Sequence, residues 1–175
     1  IFPINASQAY NKNGSLLDKD SDKLMGRGKR FLLRGKDIQG AEYMNAESEL
    51  FKFRNYMESV FRKYDFISTP TMAVPAYECG NPPVEVDGVR QDPEPSPSYG
   101  DDNPSHKNGG GLLSQFTAIY NFSGNPAATL PCGFSSKGLP ISLQIAGAKE
   151  DEVGVLQASR AFEIVRPWHG KKPVV

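Results

Sequence analysis

Asn121 to Gly147 reads NFSGNPAATLPCGFSSKGLPISLQIAG, a run in which turn-forming residues separate short apolar segments. Gly124 can take a positive φ, and Asn125, standing before Pro126, is pushed toward extended geometry, so the chain is predicted to turn here and continue as a strand through AATL. PCGF then leads into a turn at SSKG. On the return arm Ile141, Leu143 and Ile145 alternate with Ser142, Gln144 and Ala146, the period of two that belongs to a strand. The pattern predicts a β-hairpin.

Helices are predicted on both sides of it. LLSQFTAIY, just upstream, reads as helical. Downstream, Glu150, Asp151 and Glu152 suit a helix N-terminus through the macrodipole; Val155, Ala158, Phe162 and Val165 form an apolar stripe, and Pro167 closes the element. Further back, Tyr43, Ala46, Leu50, Phe53, Met57, Val60 and Tyr64 recur at intervals of three and four, one face of a long helix. Glu47, Glu49, Lys52, Arg54 and Glu58 make its solvated side. YDFISTPTMAVPA follows as a short strand running into a loop, closed by Pro70 and Pro75, which cannot donate ladder hydrogen bonds. These elements place the chain in the α/β class, and 175 residues suit one domain.

Two stretches lack such periods. From Ile1 to about Arg30 the chain is polar, with NKNG, DKDSDK and GRGKR as turn or charge clusters, and residues 1–28 are expected to form a surface connection. Asn5 and Asn13 head acceptor patterns for glycosylation, too short to decide anything. Residues 81–111 are rich in proline and glycine and nearly devoid of large apolar side chains, which makes them a lid, a binding loop or a disordered segment.

Composition excludes several classes. Acidic and basic residues balance at 20 each, so no net field draws the chain to nucleic acid or an anionic membrane. Cys79 and Cys132 are too few for a disulfide framework and lack zinc-site spacing; two unpaired thiols are expected. No apolar run reaches the roughly 20 residues of a membrane helix, and IFPINASQAY lacks the regions of a signal peptide. A soluble, cytoplasmic chain is the expectation. His106 lies in the Pro/Gly-rich segment and His169 in a charged tail, so neither suits a serine hydrolase triad. GRGKR lacks P-loop spacing, and no CxxC, HExxH or paired-carboxylate arrangement offers a metal site.

N-F-S-G-N-P-A-A-T-L-P-C-G-F, then K-G-L-P-I-S-L-Q-I-A-G, then D-E followed by A-F-E-I-V-R-P-W, together resemble the C-terminal end of amidase signature family enzymes. Upstream, KRFLLRG, the Tyr43 helix and YDFISTPT are similar to further family segments in register, so the resemblance reaches from about Lys29 to the C-terminus. It implies part of the amidase signature fold, a mixed β-sheet flanked by α-helices, with residues 1–175 as the C-terminal part of a single amidase domain.

Family members cleave or transfer amides with a serine nucleophile, a bridging cis-serine and a lysine base, beside backbone donors for the oxyanion. No Gly/Ser-rich stretch of that type occurs, and Ser135-Ser136-Lys137, at the hairpin tip, cannot build the spaced relay. The resemblance therefore implies an amide-bond hydrolase whose catalytic residues lie in a missing N-terminal part, this chain alone being inactive. Its expected partners are that N-terminal portion, as a second chain or a removed segment, and a small amide substrate; a start at Ile1 rather than methionine fits a nicked enzyme. Neither metal nor organic cofactor is expected.

By the same resemblance Ser114, Thr117, Ile119, Tyr120 and Asn121 line the acyl side of the pocket, although Ile119 and Tyr120 read equally well as packing. Glutamine-specific relatives carry a carboxylate near the position of Ser114, a departure that favours a more general amide. The alternative is a non-catalytic binding or pseudoenzyme domain derived from an amidase.

Overall fold

A computed structural model describes residues 2–24, 26–78, 83, 85–90, 111–168 and 170, of which 27, 89, 90 and 111–115 are described by backbone alone. The chain divides into two compact units, one of Ile1–Phe53 with Pro82–Leu112, the other of Arg54–Asn81 with Leu113–Val175.

In the first unit the N-terminal stretch expected to be a surface connection is helical: α1 spans Phe2–Asn13, α2 Leu16–Lys19 and α3 Gly26–Asp37. α1 packs on α3, burying Ile4, Ala6 and Leu32. Gly35 permits this approach, because a Cβ there would lie 2.9 Å from Tyr10 Cβ and closer still to the Ala6 carbonyl. Phe2 meets Phe31 edge to face, with ring centroids 5.8 Å apart. The helix is illegible in the sequence because α1 buries only Ile4 and Ala6, too few points to display a period, and its stability comes from the partner helix.

The same unit holds part of the Pro/Gly-rich segment, where β2 (Glu85–Val86) and β3 (Val89–Arg90) pair antiparallel. Asp87 and Gly88 between them have φ of 49° and 73°, as a type I′ turn requires. A short hairpin thus stands within the stretch read as loop. The rest of the expected loop, His106 included, lies outside the described residues, as do Cys79 and the His169 position.

α4 (Gly40–Phe61) begins in the first unit and ends in the second. Its predicted stripe is observed: Ala46, Leu50 and Met57 are buried and Tyr43, Phe53 and Val60 half-buried. Tyr64 falls past the end of the helix and is exposed. On the solvated side Lys52 pairs with Glu49 at 2.6 Å and Arg62 with Glu58 at 3.0 Å, exposed pairs worth little to stability.

The second unit is built on a three-stranded antiparallel sheet in the order β1 (Phe66–Pro70), β5 (Pro140–Gly147), β4 (Ala127–Phe134). The predicted hairpin is β4 and β5. Its turn closes through Ser135 N–H to Leu139 O at 2.8 Å and Gly138 N–H to Ser135 O at 2.9 Å, with Gly138 at φ 77°. Ladder register shifts between Pro131 and Gly133, so Cys132 sits in a bulge; Pro131 is accommodated because β4 borders the described sheet. Helices and sheet make the α/β class plain, while the mixed strand directions expected of the sheet are not represented in these three strands.

β5 is the central strand and is covered on both faces. Gln144 and Ala146 are as deeply buried as Ile145, at 4%, 0% and 8% exposure, so its alternation does not divide core from solvent. α6 (Glu152–Val165) packs on β4 and β5, and Gly147 lets it close in, since a Cβ there would lie 2.7 Å from Val155 Cγ2. Asp151 caps α6 by accepting the Gly154 N–H at 3.0 Å, and Glu152 stands in the first turn. Val155 is buried as predicted, but Val165 is 75% exposed and Ser159 is buried in the stripe, its hydroxyl donating to Val155 O at 2.7 Å.

Candidate functional site

All five residues proposed to face a substrate lie on α5 (Gly111–Ser123), the helix predicted from LLSQFTAIY and extended to Ser123. It ends where Gly124, at φ 80°, donates its N–H to Tyr120 O at 2.9 Å. Asn125 then donates through Nδ2 to Gly147 O at 2.9 Å, and Gly147 N–H returns a bond to Pro126 O at 3.1 Å. The junction between α5 and β4 is thereby tied to the end of β5.

α5 is also held along its length. The Gln144 side chain, in the middle of β5, donates through Nε2 to Phe116 O at 2.9 Å and to Thr69 Oγ1 on β1 at 3.2 Å. Thr69 and Gln144 are register partners on neighbouring strands, with Thr129 of β4 opposite Gln144 on the other side, so the three stand in one row across the sheet. The Tyr120 side chain is only 4% exposed. Burial pushes its phenol above the ordinary value of 10.0 while the nearby Thr69 side chain pulls it part of the way back, so the group is a neutral phenol near neutral pH. From another side Arg54 of α4 donates through Nε to Phe122 O at 3.0 Å, satisfying a carbonyl in the last turn of α5.

With about 100° between successive residues of a helix, position 114, Thr117 and Asn121 fall on one side of α5 and Ile119 on the opposite side. Tyr120 neighbours Thr117 on the flank toward Phe116, whose carbonyl Gln144 holds. Asn121 is exposed, Thr117 and Ile119 are half-buried, and Tyr120 is buried; Ser114 is described by backbone alone. The structure thus separates the five positions by face, and Thr117, Ile119, Tyr120 and Asn121 by burial as well.

This constellation can orient and hydrogen-bond, and it offers an amide both donors and acceptors. The Ser135 hydroxyl at the hairpin tip accepts the Leu139 N–H at 3.1 Å, a turn-stabilising role. Among the described residues no group of three His, Cys, Asp or Glu could hold a metal ion, and no helix is long and apolar enough to cross a membrane. Cys132 is a free, exposed thiol. Sequence reasoning placed Gln144 in the strand alternation but missed its hold on α5, and it missed Thr69 altogether. The available signal was an uncharged amide in the centre of an apolar strand, a residue that must find partners when buried.

Comparison with known proteins bears on this arrangement. The family model described as Amidase matches residues 15–156. A glutamyl-tRNA(Gln) amidotransferase subunit of Thermodesulfovibrio yellowstonii is 38% identical over 135 residues, covering 77% of this chain and 24% of that protein. The same subunit of the Bacillus thuringiensis enzyme is 33% identical over 132 residues, covering 75% and 23%. The chain therefore spans about a quarter of the length of these curated relatives. Among solved structures, an amidase superposes with a TM-score of 0.75 at 20% identity over 92% of this chain and 33% of its own. A 6-aminohexanoate cyclic dimer hydrolase in complex with its substrate gives 0.69 at 22% identity over 98% and 34%. A bacterial aryl acylamidase of the amidase signature family gives 0.66 at 24% identity over 98% and 34%. These three likenesses establish the fold, and with the match over residues 15–156 and the 38% identity in sequence they lead to one statement: the chain belongs to the amidase family.

Proposed function

We propose that this chain is the C-terminal portion of an amide-bond hydrolase, forming one wall of the substrate cleft while a serine, a bridging cis-serine and a lysine come from an N-terminal portion. The observation that carries the reading is a family match over residues 15–156 in a chain that spans only about a quarter of its curated relatives and has no Gly/Ser-rich segment to supply a nucleophile and oxyanion donors. On this reading α5 is the wall itself. Asn121 and Thr117 reach the acyl part of the substrate, with position 114 on the same side. Tyr120 and Ile119 shape the wall from behind, Tyr120 as a buried side chain.

The test is reconstitution. The chain is assayed against a panel of aliphatic, aryl and glutamine amides, alone and together with the N-terminal portion of its parent protein. Turnover only in the combined sample is expected. Turnover by the pure lone chain, lost when one of its own serines is replaced, would refute the reading.

A second reading has one specific support: the two curated relatives are subunits of a glutamyl-tRNA(Gln) amidotransferase, at up to 38% identity. In that case glutamine is the amide cleaved, and the complete protein works with further subunits. Ser114, standing near where glutamine-specific enzymes place a carboxylate, favours the general amidase, and the glutamine arm of the panel separates the two.

A further inference from the structure

Gln144 is 4% exposed, yet it meets both hydrogen-bonding partners through a single nitrogen, one of them a helix carbonyl 28 positions away and the other a hydroxyl 75 positions away. A buried amide could be satisfied within the sheet alone, by groups on the neighbouring strands. This one instead fastens three elements, α5, β1 and β5, at a common point. Tyr120, one turn further along α5 than Phe116, is itself buried and has its phenol near the same Thr69. Arg54 grips the helix again at Phe122 O. Thr117, Asn121 and position 114 share one side of α5, which lies between these points in helical projection.

We propose that Gln144, with Thr69, is a substrate-positioning pair: it acts through α5, fixing the rotation and axial setting of the helix so that the Thr117 and Asn121 side is presented to the acyl group. This rests on the reading of α5 as a cleft wall and names what sets that wall. Loss of the Nε2 bonds leaves the helix intact, because its own ladder persists, and lets it turn or slide against the sheet. Acyl-group recognition then suffers ahead of bond cleavage.

Two isosteric variants test it, Gln144→Met, which removes the amide without opening a cavity, and Thr69→Val, which removes the shared hydroxyl. In the isolated chain, backbone amide resonances from Phe116 to Asn121 are expected to shift in both, while those of the Ser135 to Leu139 turn stay in place; unmoved α5 resonances overturn the proposal. In the reconstituted enzyme each variant is expected to raise KM about fivefold and to flatten the preference among acyl groups of different length. A purely structural role would lower the amount of folded enzyme and leave KM and preference as in the wild type, and that result also overturns it. If the wild-type combination turns over no amide, the hydrolase reading fails, and the resonance shifts alone decide whether the pair sets α5.

Discussion

Asn125 Nδ2 and the Gly147 carbonyl are joined at 2.9 Å across 22 positions of sequence, fastening the start of β4 to the end of β5. The bond is partly buried and is backed by Gly147 N–H to Pro126 O at 3.1 Å. Asn125→Ala should lower stability by about 1 kcal/mol, the usual net worth of one such bond. A urea midpoint reduced with an unchanged slope is the expected readout.

Gly147→Ala should cost more, about 1–3 kcal/mol, because the added methyl would lie 2.7 Å from Val155 Cγ2 and β-branched residues in helices have one preferred rotamer. Combining it with Val155→Ala should give less destabilisation than the sum of the two single changes. A double-mutant cycle by denaturation measures that coupling.

Asp151→Ala should destabilise α6 by about 1 kcal/mol through loss of the cap on Gly154 N–H. Gly154→Ala should also destabilise, since its Cβ would collide with the same carboxylate. Circular dichroism during thermal unfolding reports both.

Alkaline titration gives a fourth test. The Tyr120 pKa is raised in the folded chain by burial, so the unfolded state ionises first. Its contribution to stability is complete below the unfolded value near 10.0 and is lost as pH rises from there through the folded value. Tyr120→Phe should weaken the alkaline decline and remove a late-ionising phenol from the ultraviolet titration of the seven tyrosines.

Gly88→Ala should open the β2–β3 hairpin, as φ of 73° strains any residue with a Cβ by about 1 kcal/mol or more, although open space surrounds the position. Asp87→Asn should be tolerated, because asparagine accepts the left-handed region. Local hydrogen exchange at Glu85 to Arg90 distinguishes the two.

What the sequence disclosed and what it hid divide along physical lines. The β4–β5 hairpin announces itself because a period of two and fixed turn chemistry at Gly124, Pro126 and Gly138 are local properties. The Tyr43 to Val60 stripe is local in the same sense. Asp87-Gly88 was also a local signal, a hairpin dipeptide between Val86 and Val89, masked by the prolines and glycines around it. α1 was hidden for a different reason: its burial is a contact between helices, and Gly35 acquires meaning only once Ala6 lies against it. The candidate site shows both cases. Its five residues were found as a helix following a family motif, yet which side of that helix is held depends on Gln144, Thr69 and Arg54, whose partners lie 28 to 75 positions away.

The bulge at Cys132 and the missing N–H of Pro131 have a further effect on the solution behaviour of the chain. They interrupt the run of donors that β4 would offer to a foreign strand, and Pro70 does the same at the end of β1. Each border of the described sheet therefore gives an intruding chain only a few residues to zip onto, which works against cross-β stacking in concentrated samples.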